Sequence, residues 1–110
     1  MDVKVDNQNG FTIFSISGKL DASTAGQLEN QFNQALNTDA SRFIVSMESL
    51  NYVSSAGLRV ILSFAKQLHA QKKQLRLASL QGSVKSVFEI SGFYALFPVF
   101  ETVQDAMNDE

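Results

Sequence analysis

Phe43-Ile44-Val45-Ser46-Met47 is a short, nearly continuous apolar run, and it limits the possible folds more than any other segment. A strand with one wet face alternates apolar and polar residues, whereas a strand without alternation needs cover on both faces. That is the pattern of a central strand in a sheet packed by helices. The flanking segments supply those helices. Leu58, Ile61, Leu62, Ala65 and Leu68 recur at helical spacing, while Arg59, Lys66, Gln67 and His69 fall mostly elsewhere. Lys72-Lys73 follows, where cations suit the negative end of the helix dipole. Upstream, Ala25, Leu28, Phe32, Ala35 and Leu36 give a second apolar stripe, with Ser23 or Thr24 placed to cap the helix.

The remaining segments fit the same plan. Val3 and Val5 alternate with charged residues, Asp6-Asn7-Gln8-Asn9-Gly10 has turn chemistry, and Phe11 to Ile16 reads as a more buried strand, so the chain opens with an antiparallel hairpin. Leu75-Arg76-Leu77-Ala78 predicts a strand, Ser83 to Ile90 a short helix stopped by Gly92, Pro98-Val99-Phe100 an edge strand, and Thr102 to Met107 a final amphipathic helix. Phe93, Tyr94, Phe97 and Phe100 read as core and edge packing. Strands alternating with helices after a hairpin predict an α/β fold: a mixed, mostly parallel sheet of about five strands with about four helices.

With 110 residues, 45% of them apolar, residues 1–110 are expected to form a single domain burying roughly two-thirds of its unfolded surface. A net charge of −2 built from interspersed acids and bases offers no basic stripe for a phosphate backbone, so no nucleic acid partner is expected. No cysteine is present and there is one histidine, which leaves neither thiolate chemistry nor a residue set for a metal. No cofactor is expected. The N-terminus lacks an apolar leader and no run approaches bilayer length, so the expected protein is soluble, cytoplasmic and not inserted in a membrane. One sheet accounts for the apolar stripes, which makes a monomer the expectation.

Tyr52-Val53-Ser54-Ser55-Ala56-Gly57-Leu58-Arg59 puts two hydroxyls and a glycine where a strand hands over to a helix. The first helical turn leaves N–H groups without partners and carries the positive end of the macrodipole, so a phosphate attached there is stabilised locally. Capping alone also explains a serine at such a junction. Asp21 in a turn, Thr24 as a helix cap, Arg59 as a solvated surface residue and Gly57 as a steric accommodation have equally plain explanations. An esterase-like triad of Ser55, His69 and Asp21 fails on distance. Fourteen residues of helix at about 1.5 Å each separate Ser55 from His69 by about 20 Å, against the roughly 3 Å that a nucleophile and its base require.

Several landmarks in register resemble the STAS family, and within it the single-domain anti-sigma factor antagonists. They are Gly18-Lys19-Leu20-Asp21 with Thr24, Phe43-Ile44-Val45, Leu50-Asn51-Tyr52-Val53-Ser54-Ser55-Ala56-Gly57-Leu58, and Val87-Phe88-Glu89-Ile90-Ser91-Gly92-Phe93. In such antagonists the junction typically reads Asp-Ser-(Ser or Thr)-Gly-Leu, and the serine after the aspartate is phosphorylated by an anti-sigma factor that is also a serine kinase. Aligned on Gly57-Leu58, that serine is Ser55, with Ser54 as second choice. Ser54 stands at the family's aspartate and Ala56 at its second hydroxyl, so the chain departs at both neighbours.

The resemblance implies a regulatory binding protein and not an enzyme. Unphosphorylated, it would capture the anti-sigma factor and free sigma; phosphorylation of Ser55 would end binding, and a serine phosphatase would reset the cycle. Asp21, Thr24, Ser54, Ser55, Gly57 and Arg59 are the implied partner-binding residues. The competing role in the same family is a constitutive interaction subunit of a transporter or stress-sensing assembly, in which the serine is never modified.

Overall fold

The computed structural model describes residues 1–109. Strand β1 (Asp2–Gln8) turns through Asn9 and Gly10 into β2 (Phe11–Leu20). Both turn residues have positive φ, 51° and 81°, the geometry of the two-residue hairpin turns whose twist matches antiparallel strands. Helix α1 (Ala25–Leu36), strand β3 (Arg42–Val53), helix α2 (Ser55–Ala70) and strand β4 (Gln74–Ala78) follow. Then come α3 (Gly82–Ile90), a 3-10 turn at Phe93–Ala95, the two-residue strand β5 (Val99–Phe100) and α4 (Val103–Asn108). The sheet order is β1-β2-β3-β4-β5, antiparallel between β1 and β2 and parallel elsewhere.

The side-chain period of two along the strands divides the core. Phe14 and Ile16 of β2, Phe43, Val45 and Met47 of β3, and Leu75 and Leu77 of β4 face α1, α2 and α3. There Phe32 of α1 stacks on Phe64 of α2 with ring centroids 4.0 Å apart, and Phe14 meets both rings edge-on. Phe11, Ile13, Ile44 and Ala78 point to the opposite face, where Ala106, Val103 and Met107 of α4 lie over them. The nearly continuous apolar run of β3 is therefore covered on both faces, as its composition requires.

Three features differ from the sequence expectation. β2 continues to Leu20 and β3 to Val53, because the register between them shifts twice and the pairing then resumes at Lys19 with Tyr52 and Leu20 with Val53. The aromatic set splits between faces: Phe97 is buried against the main core beside Phe93, whereas Phe100 packs under α4. Arg76, in the middle of β4, is buried. Its guanidinium lies over the rings of Phe11 and Phe100 and donates to the carbonyl of Ala106 and, at 2.7 Å, to that of Asp109, so the cation meets the C-terminal end of α4.

The two internal helix glycines respond oppositely to a methyl group. A Cβ on Gly57 would lie 2.5 Å from Leu20 Cγ, whereas one on Gly26 meets nothing within 4 Å. Helix propensity favours alanine at both sites by up to about 1 kcal/mol, and overpacking costs about 1–3 kcal/mol, so the clash wins at Gly57 only. In urea unfolding, Gly26→Ala is expected to raise the midpoint and Gly57→Ala to lower it. Two shifts of the same sign would contradict this packing.

Candidate functional site

The parallel strands β2 and β3 end side by side, and α2 starts there. The Ser54 N–H donates to the Leu20 carbonyl at 2.9 Å, which fixes the end of β2 against the junction. Gly57 is buried one turn further on, and its lack of a side chain lets the helix backbone settle against Leu20. Val53 points into the core just before the junction, so the chain enters the helix from a fixed direction.

The two serines have different tasks. Ser54 is the N-cap, with extended backbone, and its Oγ accepts from the Gly57 N–H at 3.3 Å. Its carbonyl accepts from the Leu58 N–H at 2.9 Å. Ser55 is the first residue of α2 and is exposed, and among the described residues its hydroxyl makes no hydrogen bond. The capping explanation is thus satisfied by Ser54 and leaves Ser55 without a structural role for its oxygen. No acidic side chain occupies the first turn of α2, so nothing there offsets the positive end of the dipole.

The loop after β2 lies beside this turn because Leu20 is shared between them. Asp21 Oδ1 accepts from the Ser23 hydroxyl at 2.7 Å and from the Ser23 N–H at 2.9 Å. These bonds, the hydroxyl first, hold the Asp21 carboxyl below its usual range. Thr24 occupies the cap position of α1 but does not cap it through its side chain, which corrects the expectation for this residue. Its backbone is in the helical region, and its hydroxyl instead accepts from the Asp21 N–H at 2.9 Å and donates to the Lys19 carbonyl at 2.8 Å. Ser23 does not cap α1 either; it is bound to Asp21.

The structure therefore brings Asp21, Thr24, Ser54, Ser55 and Gly57 to one end of the sheet, with Arg59 exposed on the next turn of α2. It keeps His69 away, near the far end of the same unbroken helix. Sequence reasoning missed Tyr52, which is 47% exposed on the last turn-free stretch of β3 and pairs in register with Lys19. It also missed Ser83, whose hydroxyl donates to the Asn51 carbonyl at 3.2 Å and draws the start of α3 to the same end. The spacing of Leu50 and Val53 carried the signal for Tyr52: both are buried, and the two residues between them are exposed.

Two outcomes follow. Ser54→Ala removes a cap and is expected to cost about 1 kcal/mol, while Ser55→Ala is expected to stay within about 0.5 kcal/mol of the parent, both read by urea unfolding. The lowered Asp21 carboxyl adds stability that is fully present above the ordinary carboxylate range near pH ~3.9 and disappears as pH falls through the lowered value. The acid limb of the stability curve should accordingly be shallower in Asp21→Asn; an unchanged limb would contradict the assignment.

Comparison with known proteins agrees with this fold. The STAS domain family model matches residues 2–106. BtrV of Bordetella bronchiseptica, provisionally named an anti-sigma factor antagonist, is 38% identical over 99 residues, which cover 90% of this chain and 85% of BtrV. A crystal structure of an anti-sigma factor antagonist from Mycobacterium paratuberculosis superposes with a TM-score of 0.90 at 19% identity, covering 96% of this chain and 90% of that one. SpoIIAA, a Bacillus cell fate determinant solved in its phosphorylated form, superposes with a TM-score of 0.76 at 19% identity over 97% of each chain. These two structures speak to the fold, and the sequence match carries the family: the chain belongs to the STAS domain family.

Proposed function

We propose that this protein is an anti-sigma factor antagonist that works by partner switching and has no catalytic activity of its own. Unmodified, it binds an anti-sigma factor through the end of the sheet formed by Asp21, Thr24, Ser54, Ser55, Gly57 and Arg59, and sigma is released. The anti-sigma factor, acting as a serine kinase with its own ATP, phosphorylates Ser55 and binding ends; a serine phosphatase restores the unmodified form. The similarity to BtrV supports the general role. The observation that carries the switch is the division of labour between the serines: Ser54 holds the helix cap, and Ser55 presents an exposed hydroxyl with no hydrogen bond among the described residues.

The energetics favour a change in binding over a change in fold. A phosphate on Ser55 adds about −1.5 to −2 charges at the positive end of α2, a local gain of about 0.3–1 kcal/mol. The same dianion placed in an interface without a matching cation costs several kcal/mol, and every 1.4 kcal/mol is about tenfold in affinity. Phosphorylation by this route weakens the complex by a hundredfold or more while the free domain stays folded. The aspartate that the family has at position 54 is absent here, and its loss removes a negative charge next to the acceptor oxygen.

Incubation with ATP and the cognate anti-sigma kinase, followed by intact mass and site mapping, tests the reading. One added phosphate is expected in the parent and in Ser54→Ala and none in Ser55→Ala; Ser55→Glu is expected to bind the anti-sigma factor about a hundredfold more weakly than the parent. Stable binding with no phosphorylation by any cognate kinase would overturn the switch and favour a constitutive interaction subunit.

A further inference from the structure

Along the flank of α2, away from Ser55, runs a groove of about 600 Å³, within the range of about 300–1,000 Å³ typical of small-molecule pockets. Its existence follows from the shape of the sheet edge. Ile61, Phe64 and Leu68 form the row of α2 that is fully buried on the sheet, whereas Leu62 and Ala65, on the next row, are only half-buried. The neighbour that would cover that row is short: β5 has two residues, and the segment leading into it places Leu96 at the rim, 60% exposed. Phe97 and Leu75 make an apolar floor.

The rim is charged in one sense. Lys66 and Lys73 line the groove beside His69, and among the described residues no aspartate or glutamate does, although acids outnumber lysine and arginine by 11 to 9 in the whole chain. Lys73 is tethered: its Nζ donates to the Thr38 carbonyl at 3.1 Å, which uses one of three N–H donors and holds the ammonium at the end of α1. The groove extends along α2 over the eight residues from Leu62 to His69, a rise of about 10 Å, which is short for docking a partner helix but suits an unbranched chain lying lengthwise. An apolar trough of this length with ammonium groups at its rim complements a molecule with a single apolar tail and one negative head.

We propose that the groove between α2, the start of β4 and the segment before β5 is a binding site for a single-chain amphiphile with an anionic head, the head meeting Lys66, His69 and Lys73 and the tail lying on Leu62, Ala65, Leu75 and Phe97. The site is separate from the switch residues and its occupancy does not require Ser55.

Titration of the full chain with sodium dodecanoate below its micelle-forming concentration, followed by amide chemical shifts, tests it. One saturable site is expected, with shifts concentrated at Leu62–His69, Gln74–Leu75 and Leu96–Phe97. Lys66→Glu, on an exposed position that leaves the fold intact, is expected to weaken binding about tenfold or more. Ala65→Phe, checked for an unchanged melting transition, is expected to abolish binding by filling the trough. Equal affinity for dodecyltrimethylammonium, shifts centred elsewhere, or no saturable binding would overturn the proposal. So would saturation of the groove by an acidic helical peptide that dodecanoate does not displace.

Discussion

Leu20 and Gly57 set how the sheet meets its longest helix. The Leu20 carbonyl takes the Ser54 N–H at 2.9 Å, and a Cβ on Gly57 would run into the Leu20 side chain at 2.5 Å. The first turn of α2 is thereby seated directly on the end of β2, and the Asp21 loop, which begins one residue later, is carried to the same place. With the seat fixed, Ser54 can cap the helix and Ser55 is turned to solvent as the first helical residue.

A rigid seat suits a switch that acts through charge. The main core beneath it is stiff in the sense that aromatic rings of β2, β3, α1 and α2 interlock, with Phe14 in contact with Phe32, Phe43 and Phe64. The Asp21 loop is tied by its own hydrogen bonds to Ser23 and Thr24 and not to the helix. A phosphate at Ser55 in the proposed cycle would therefore meet a positive helix end and a loop that keeps its shape. Its effect is felt by whatever is docked on that surface. The proposed amphiphile groove lies on the same helix but beyond the first two turns, so the two proposed sites occupy different parts of α2.

Much of this was legible in the sequence because the relevant patterns are local. The buried run at Phe43–Met47, the stripes of α1 and α2, and a hairpin turn within Asp6–Gly10 are each fixed by periodicity or by turn chemistry within a few residues, although β1 runs on to Gln8 and leaves the turn to Asn9 and Gly10. What was not legible depends on neighbours in space. The extension of β2 and β3 to Leu20 and Val53 rests on register shifts between the strands. Thr24 has the composition of a cap, yet its hydroxyl is drawn instead to Lys19 and Asp21 by the path of the loop. Arg76 sits in a buried strand because the C-terminal carbonyls of α4 arrive to accept from it, which no window of sequence around β4 reveals. At the site itself, the resemblance implied Ser55 as the modified serine with Ser54 as second choice, and spacing alone did not say which serine caps α2; the backbone assigns the cap to Ser54.

Amide hydrogen exchange, compared between the unmodified protein and the form phosphorylated at Ser55, tests most directly that modification alters the surface and spares the fold. The expected result is unchanged protection throughout β2, β3, β4 and the core of α2, with differences confined to the first turn of α2 and the Asp21–Thr24 loop. Loss of protection spreading through the sheet or along α2 would contradict it and would make the switch an unfolding event.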